Sequence, residues 1–339
     1  MRITINGNKG FSLIEVMTTL VLGLVVLMMV VQLFMNTKNN HAQNDRISET
    51  LESGRYALRQ LSTDLKDAGF LGGIIDPAAL SLDTSLPSPV TDCGKSGEVN
   101  WAYDVNTYRS LQFDDNVTPT TASTDHTCIQ SSDFSTGTDV LVVKRVYNQQ
   151  VAAASLATNN VYLRSDYSTA CLWFYDGSST NPSGTNCPTT GTADWLYLTH
   201  VYYIRNHNDA GESIPTLCRK NLGATGSGTS NPTMTELCLA EGVEQFHVMF
   251  GIDTDTPHDG VANQFVANPT PAQLRTSAVS ARIFVLVRAK REDSTFVNDK
   301  TYTMGDRVVG PFNDKYYRRM FSTTVLLRNP MYTAAFNDY

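Results

Sequence analysis

The chain has 339 residues, with 33 acidic against 26 basic side chains and a formal net charge of −7. That length allows one large or two medium domains with a sizeable core. The acidic balance argues against direct nucleic-acid binding, which favours a basic face. The six cysteines, Cys93, Cys128, Cys171, Cys187, Cys218 and Cys238, all lie beyond the first 92 residues. An even count confined to one side of an apolar segment implies disulfides made in an oxidising compartment.

Residues 11–34 read FSLIEVMTTLVLGLVVLMMVVQLF; 18 of these 24 are apolar and Glu15 alone is charged. As a helix they would span about 36 Å, enough for a hydrocarbon core of about 30 Å. Arg2 and Lys9 precede the run, so the positive-inside rule places the N-terminus in the cytoplasm and the remainder across the membrane. A secretory signal peptide shares the order basic then apolar, but needs small residues at a cleavage site after the apolar run. Here Gln32, Leu33, Phe34, Met35, Asn36 and Thr37 occupy that place, which favours an anchor. Glu15 is costly so deep in an apolar run, and no cation lies within the run to pair with it. Either it stays wet near the headgroups or its partner comes from outside the chain.

The string Lys9-Gly10-Phe11-Ser12-Leu13-Ile14-Glu15 closely resembles the class III signal of type IV pilins and pseudopilins. The resemblance implies a short basic leader, residues 1–10, that a prepilin peptidase removes after Gly10. The same enzyme would methylate the new N-terminus on Phe11. It also gives Glu15 an assembly role, facing the N-terminal amine of a neighbouring subunit. Opposite charges attract strongly in low dielectric, and an unpaired buried charge is expensive.

The helix is expected to run on through 35–72, because no proline occurs before Pro77. Ile47, Leu51, Gly54, Leu58, Leu61, Leu65 and Ala68 form a heptad stripe. Arg46, Glu49, Glu52, Arg55, Arg59, Asp64 and Lys66 fall off it. The stripe is read as packing on the chain's own globular region, with contacts to neighbouring subunits as the alternative. Residues 52–58 (ESGRYAL), with Leu61, Asp64, Leu65 and 68–72 (AGFLG), resemble the helix end of PilW-type minor pilins. That resemblance implies a complex with other minor pilins and the major pilin, one that primes the pilus and sits near its tip. A PilY-type adhesin is a possible associate.

Residues 73–339 carry strand signals. Segments 139–147 (DVLVVKRVY), 195–205 (WLYLTHVYYIR) and 320–328 (MFSTTVLLR) are rich in β-branched and aromatic residues. Phe246, Val248, Phe250 and Ile252 share one face of 245–252, and 278–288 alternates with period two. The class is therefore α+β, type IV pilin-like: a long helix packed on an antiparallel β-rich domain. Gly, Ser, Thr, Asn and Pro mark 176–194 and 221–235 as loops, each touching a short-range cysteine pair. Sequential pairing (Cys93 with Cys128, Cys171 with Cys187, Cys218 with Cys238) is the expectation among 15 possible connectivities.

Signals for catalysis are absent. There is no H-E-x-x-H and no G-x-S-x-G, and the six histidines lack metal-ligand spacing. Gly94-Lys95-Ser96 resembles the end of a phosphate loop, but Pro89 stands where its first glycine belongs. Asp253, Asp255 and Asp259 could offer oxygens to calcium, although Pro257 and His258 interrupt the spacing; a polar hairpin is the plainer reading. Tyr316 and Tyr317 beside Arg318 and Arg319 are read as the start of a strand rather than as an interface. The reading is a structural minor pilin, not an enzyme. It sits in the inner membrane with a periplasmic domain before assembly, and on the surface pilus afterwards. A secretion pseudopilin of the GspJ type and a tip-exposed adhesin or DNA-uptake subunit are the alternatives.

Overall fold

The structure is a computed structural model that describes residues 10–74, 77–105, 110–182, 184, 186–223 and 231–329, without the side chains of Asn39 and Pro77. Apart from Gly10, the expected leader lies outside the described residues. The chain divides into two units, Met1–Glu49 and Thr50–Tyr339. Helix α1 (Leu13–Lys66) begins in the first and ends in the second.

In the first unit α1 is unbroken, as the lack of proline allows. Its apolar side chains are bare: Leu20, Leu24, Met28 and Phe34 are all exposed. None of the described residues removes this surface from water, which suits a helix covered by lipid or by other helices. The helix is long and apolar enough to cross a membrane.

In the second unit α1 turns one face inward. Thr50, Gly54, Ala57, Leu61 and Asp64 follow steps of three and four and are buried, as are Leu65 and, just past the helix end, Ala68. The stripe thus packs on the chain's own domain, with two corrections. Ile47 stays 37% exposed. Asp64, placed off the stripe in sequence, is buried inside it, because the buried arc is wider than a two-per-heptad seam. The helix also ends at Lys66 rather than near residue 72. Gly69 adopts a left-handed φ of 73°, which ends a helix at little steric cost, and its N–H donates to the Lys144 carbonyl at 3.1 Å.

The first sheet has eight strands: β1 (Leu80–Leu82), β2 (Leu111–Val117), β3 (Thr138–Val151), β4 (Asn160–Ser165), β5 (Ala170–Tyr175), β6 (Ala193–Arg205), β7 (Thr216–Gly223) and β8 (Thr233–Glu241). Their order is β1-β5-β4-β6-β3-β2, with β7 on β6 and β8 on β7. Every pair is antiparallel except β1 with β5. Two short helices interrupt the strands, α2 (Pro119–Asp125) and α3 (Pro271–Thr276). A second sheet runs β10-β9-β11-β14, from β9 (Val243–Ile252), β10 (Gln264–Val266), β11 (Ala278–Arg288) and β14 (Arg318–Leu326). Between the last two, β12 (Tyr302–Met304) and β13 (Arg307–Val309) form a hairpin. The class is α+β, as the periodicities indicate.

Strand parity divides the first sheet between two cores. Val140, Val142 and Val146 of β3, with Tyr197, Val201 and Tyr203 of β6, face the segment that carries Trp101 and Tyr103. Leu141, Val143, Tyr202 and Ile204 face the other way, onto Ala57, Leu61 and Leu65 of α1 and onto Phe246, Phe250, Ile283 and Val285. The first sheet is thus covered on both sides, which explains the continuous rather than alternating apolar run in β3. Strand β11 departs from the alternation in the same way, since Phe284 and Leu286 on its outer face are covered by Met304 of the hairpin. The 221–235 loop is shorter than expected, because Asn221–Gly223 and Thr233–Thr235 belong to the β7–β8 pair.

Candidate processing and assembly site

Helix α1 starts two residues beyond Phe11. Gly10 and Phe11 precede it and are exposed. The Ser12 carbonyl opens the helix by accepting from the N–H groups of Glu15 (3.0 Å) and Val16 (3.2 Å). Glu15 sits in the first turn, where the positive end of the helix dipole favours a carboxylate. The Thr18 and Thr19 hydroxyls bond back to the Glu15 carbonyl at 3.0 and 2.9 Å, so they need no other partner in an apolar setting. No described residue donates to the Glu15 carboxylate itself.

The six cysteines form three disulfides, Cys93–Cys128, Cys171–Cys187 and Cys218–Cys238. The last joins residues directly opposite each other on β7 and β8, with Cα atoms 4.0 Å apart. Cys171 ties the connection after β5 back onto that strand. There the Asp83 carboxylate also accepts the Gly184 N–H at 3.1 Å.

Asp253, Asp255 and Asp259 come together, with one oxygen from each within 4.8 Å of the others. Asp253 is buried, and its two oxygens accept the N–H groups of Asp255 (3.0 Å) and Gly260 (2.7 Å). Burial opposes its charge, but those amides and His258 hold its carboxyl below the ordinary value. This is a turn organised from within by one aspartate, as the hairpin reading expects. Lys95 pairs with Asp125 at 3.5 Å. Arg318 begins β14 with its side chain buried, forked onto Glu244 (2.6 and 3.0 Å) and Asp314 (2.6 and 2.7 Å). Tyr317 stacks on Phe296 at 3.9 Å.

Two charged clusters escaped the sequence reading. In the first, Asp64 reaches from α1 into the first sheet. Arg145 of β3 forks onto it at 3.2 and 2.8 Å, and His200 Nδ1 and the Tyr202 hydroxyl, both from β6, bond its other oxygen. Arg219 of β7 stands 3.9 Å away. Burial works against the charge, but His200, Arg145 and Tyr202 outweigh it and keep the Asp64 carboxyl well below the usual range. Burial, with Arg219 and Arg145 nearby, pushes His200 down, against the pull of Asp64. A neutral imidazole donating from Nδ1 to an ionised Asp64 satisfies both.

In the second, His247 of β9 lies between Asp139 (2.8 Å from Nδ1) and Asp306 (2.9 Å from Nε2). Asp115 is 3.5 Å away, and Arg307 bonds Asp115 and Asp139. Asp115, Asp139 and His247 are close enough to bridge a cation, but the Arg307 guanidinium already sits among these carboxylates, 2.8 Å from Asp139. Burial lowers the imidazole, while Asp139 and Asp306 more than restore it, so its value is raised overall. Both ring nitrogens face carboxylates, the arrangement suited to the doubly protonated ring. The cluster ties the β12–β13 turn to the first sheet. Parity gave no hint of it, since His247 alternates with the inward Phe246 and Val248 as an outward residue of β9.

Two family models match the chain. That for PilW, type IV pilus-assembly protein W, covers residues 201–329. That for the prokaryotic N-terminal methylation motif covers residues 5–31. No curated protein and no solved structure matches. The PilW match runs from within β6 to beyond β14 and contains the whole second sheet. The methylation match spans Gly10, Phe11, Glu15 and the apolar start of α1. Together with the exposed Gly10 and Phe11 and the bare apolar helix behind them, these matches support a type IV pilus-related pilin of the PilW type.

Proposed function

We propose that this pilin is a minor subunit that primes type IV pilus assembly and takes a place near the filament tip. The carrying observation is Glu15, an acid in the first turn of an apolar helix with no described residue to neutralise it. Cleavage after Gly10 creates a cation on Phe11, and methylation keeps that charge. A neighbouring subunit staggered along the filament then brings its own N-terminal amine to this carboxylate. Before assembly the first unit anchors the chain in the inner membrane and the second lies in the periplasm, where its cysteines are oxidised. Prepilin peptidase, the other minor pilins and the major pilin are its partners, with a PilY-type adhesin at the tip. The second unit, nearly 300 residues, is larger than a repeating shaft subunit needs, which supports a place in a small complex. Glu15 itself supports a position just below the extreme tip, since it has use for a neighbour ahead of it.

The test is a count of surface pili in a strain lacking this chain with retraction blocked, beside an assay of type II secretion. Few pili with normal secretion is the expected result. Normal pili with failed secretion would make the chain a secretion pseudopilin instead.

A further inference from the structure

We infer that Asn116 is an acceptor for N-linked glycosylation by a transferase of the bacterial, acidic-sequon type. The chain contains one Asn-x-Ser/Thr triplet without a central proline, Asn116-Val117-Thr118. The other three, at Asn181, Asn231 and Asn268, each carry proline in the middle, which blocks the turn that the transferase imposes. Bacterial single-subunit transferases also require an acid two residues before the asparagine, and Asp114 stands there.

The fold leaves room for a sugar on this segment. Strand β2 is the last in its sheet, and its register with β3 shifts between Asp114 and Val117. The bulge puts Asn116 at a left-handed φ of 52° and turns its side chain out to solvent. The backbone N–H is fixed by Asp139 at 3.0 Å, while no hydrogen bond among the described residues holds the carboxamide. Thr118 is exposed at the N-cap of α2. Val117 is buried, so transfer belongs to the interval before β2 closes onto β3. The finished sugar then stands clear of the core and covers a free sheet edge, a usual site of unwanted pairing.

In the transfer the Asn116 amide nitrogen attacks the anomeric carbon of an oligosaccharide held as a lipid diphosphate. The nitrogen–carbon bond forms and the carbon–oxygen bond to phosphate breaks. The lipid diphosphate leaves with the electron pair, and the amide proton passes to a base.

The inference rests on the proposal that the second unit is exported. The full chain is co-expressed in a bacterium with a single-subunit oligosaccharyltransferase and its lipid-linked oligosaccharide, isolated from membranes, and analysed by peptide mass spectrometry with thiol alkylation. The expected result is the oligosaccharide mass on the peptide holding Asn116. Asn116→Gln and Thr118→Ala should abolish it, and Thr118→Ser and Asp114→Glu should retain it. A bare Asn116 in a chain with all six cysteines oxidised overturns the inference and leaves export standing. A bare Asn116 with free thiols overturns both, and sugar carried elsewhere overturns the assignment.

Discussion

Asp64→Leu should be among the most damaging single changes in the second unit. The substitution removes a carboxylate whose side chain is 4% exposed and leaves Arg145, 7% exposed, without its forked partner. It also strips the acceptor from His200 Nδ1 and from the Tyr202 hydroxyl. Breaking a buried ion pair on one side costs about 3–5 kcal/mol. For a unit of this size 1 kcal/mol lowers the melting temperature by about 2 °C, so the loss is about 6–10 °C. The assay is thermal unfolding of the full chain in detergent, followed by circular dichroism in the β region. The pH dependence gives a second readout. A depressed carboxyl adds stability that is present above its ordinary value of 3.8 and lost as pH falls toward the folded-state value. Wild type should therefore lose stability in acid more steeply than the variant. Asp64→Leu combined with Arg145→Leu should recover much of the loss, since apolar replacement of both partners is often near neutral. A single-variant cost under about 1 kcal/mol, or no recovery in the double variant, would refute the account of Asp64 as the counter-charge that Arg145 needs.

Four further outcomes follow from the geometry. His247 has a raised folded value, so its contribution is complete below the ordinary 6.5 and fades as pH rises through the higher folded value; thermal scans of wild type and His247→Gln should converge toward alkaline pH, and parallel curves would contradict this. Glu15→Ala should be cleaved and methylated normally but recovered poorly in sheared pili on immunoblots; normal recovery would end the pairing idea. Removing the Cys171–Cys187 bridge by double serine substitution should cost about 3 kcal/mol, the chain-entropy value for a loop of this length, read as a loss of unfolding free energy in denaturant titrations. Millimolar calcium should leave the melting temperature unchanged because backbone amides already engage both Asp253 oxygens; a rise of several degrees would restore the cation reading of Asp253, Asp255 and Asp259.

Much was legible in the sequence because it is written in local order. The basic leader, Gly10-Phe11 and Glu15 lie within a few residues, and the apolar run behind them signals its environment by composition alone. Strand β11 fell at residues 278–288 in both readings, since period-two alternation depends only on neighbours along the chain. The helix stripe was legible for the same reason, down to Leu61, Leu65 and Ala68. Tertiary structure decided what spacing could not. Asp64 looked like one more charge off the stripe, and its burial follows from Arg145, His200 and Tyr202, which are 81, 136 and 138 residues away in sequence. His247 alternates correctly as an outward residue of β9, yet the β12–β13 turn brings Asp306 and Arg307 over it. A charge is stable inside a protein only where opposite charge and donors converge. That convergence is a property of the packed strands, and no single segment of the sequence contains it.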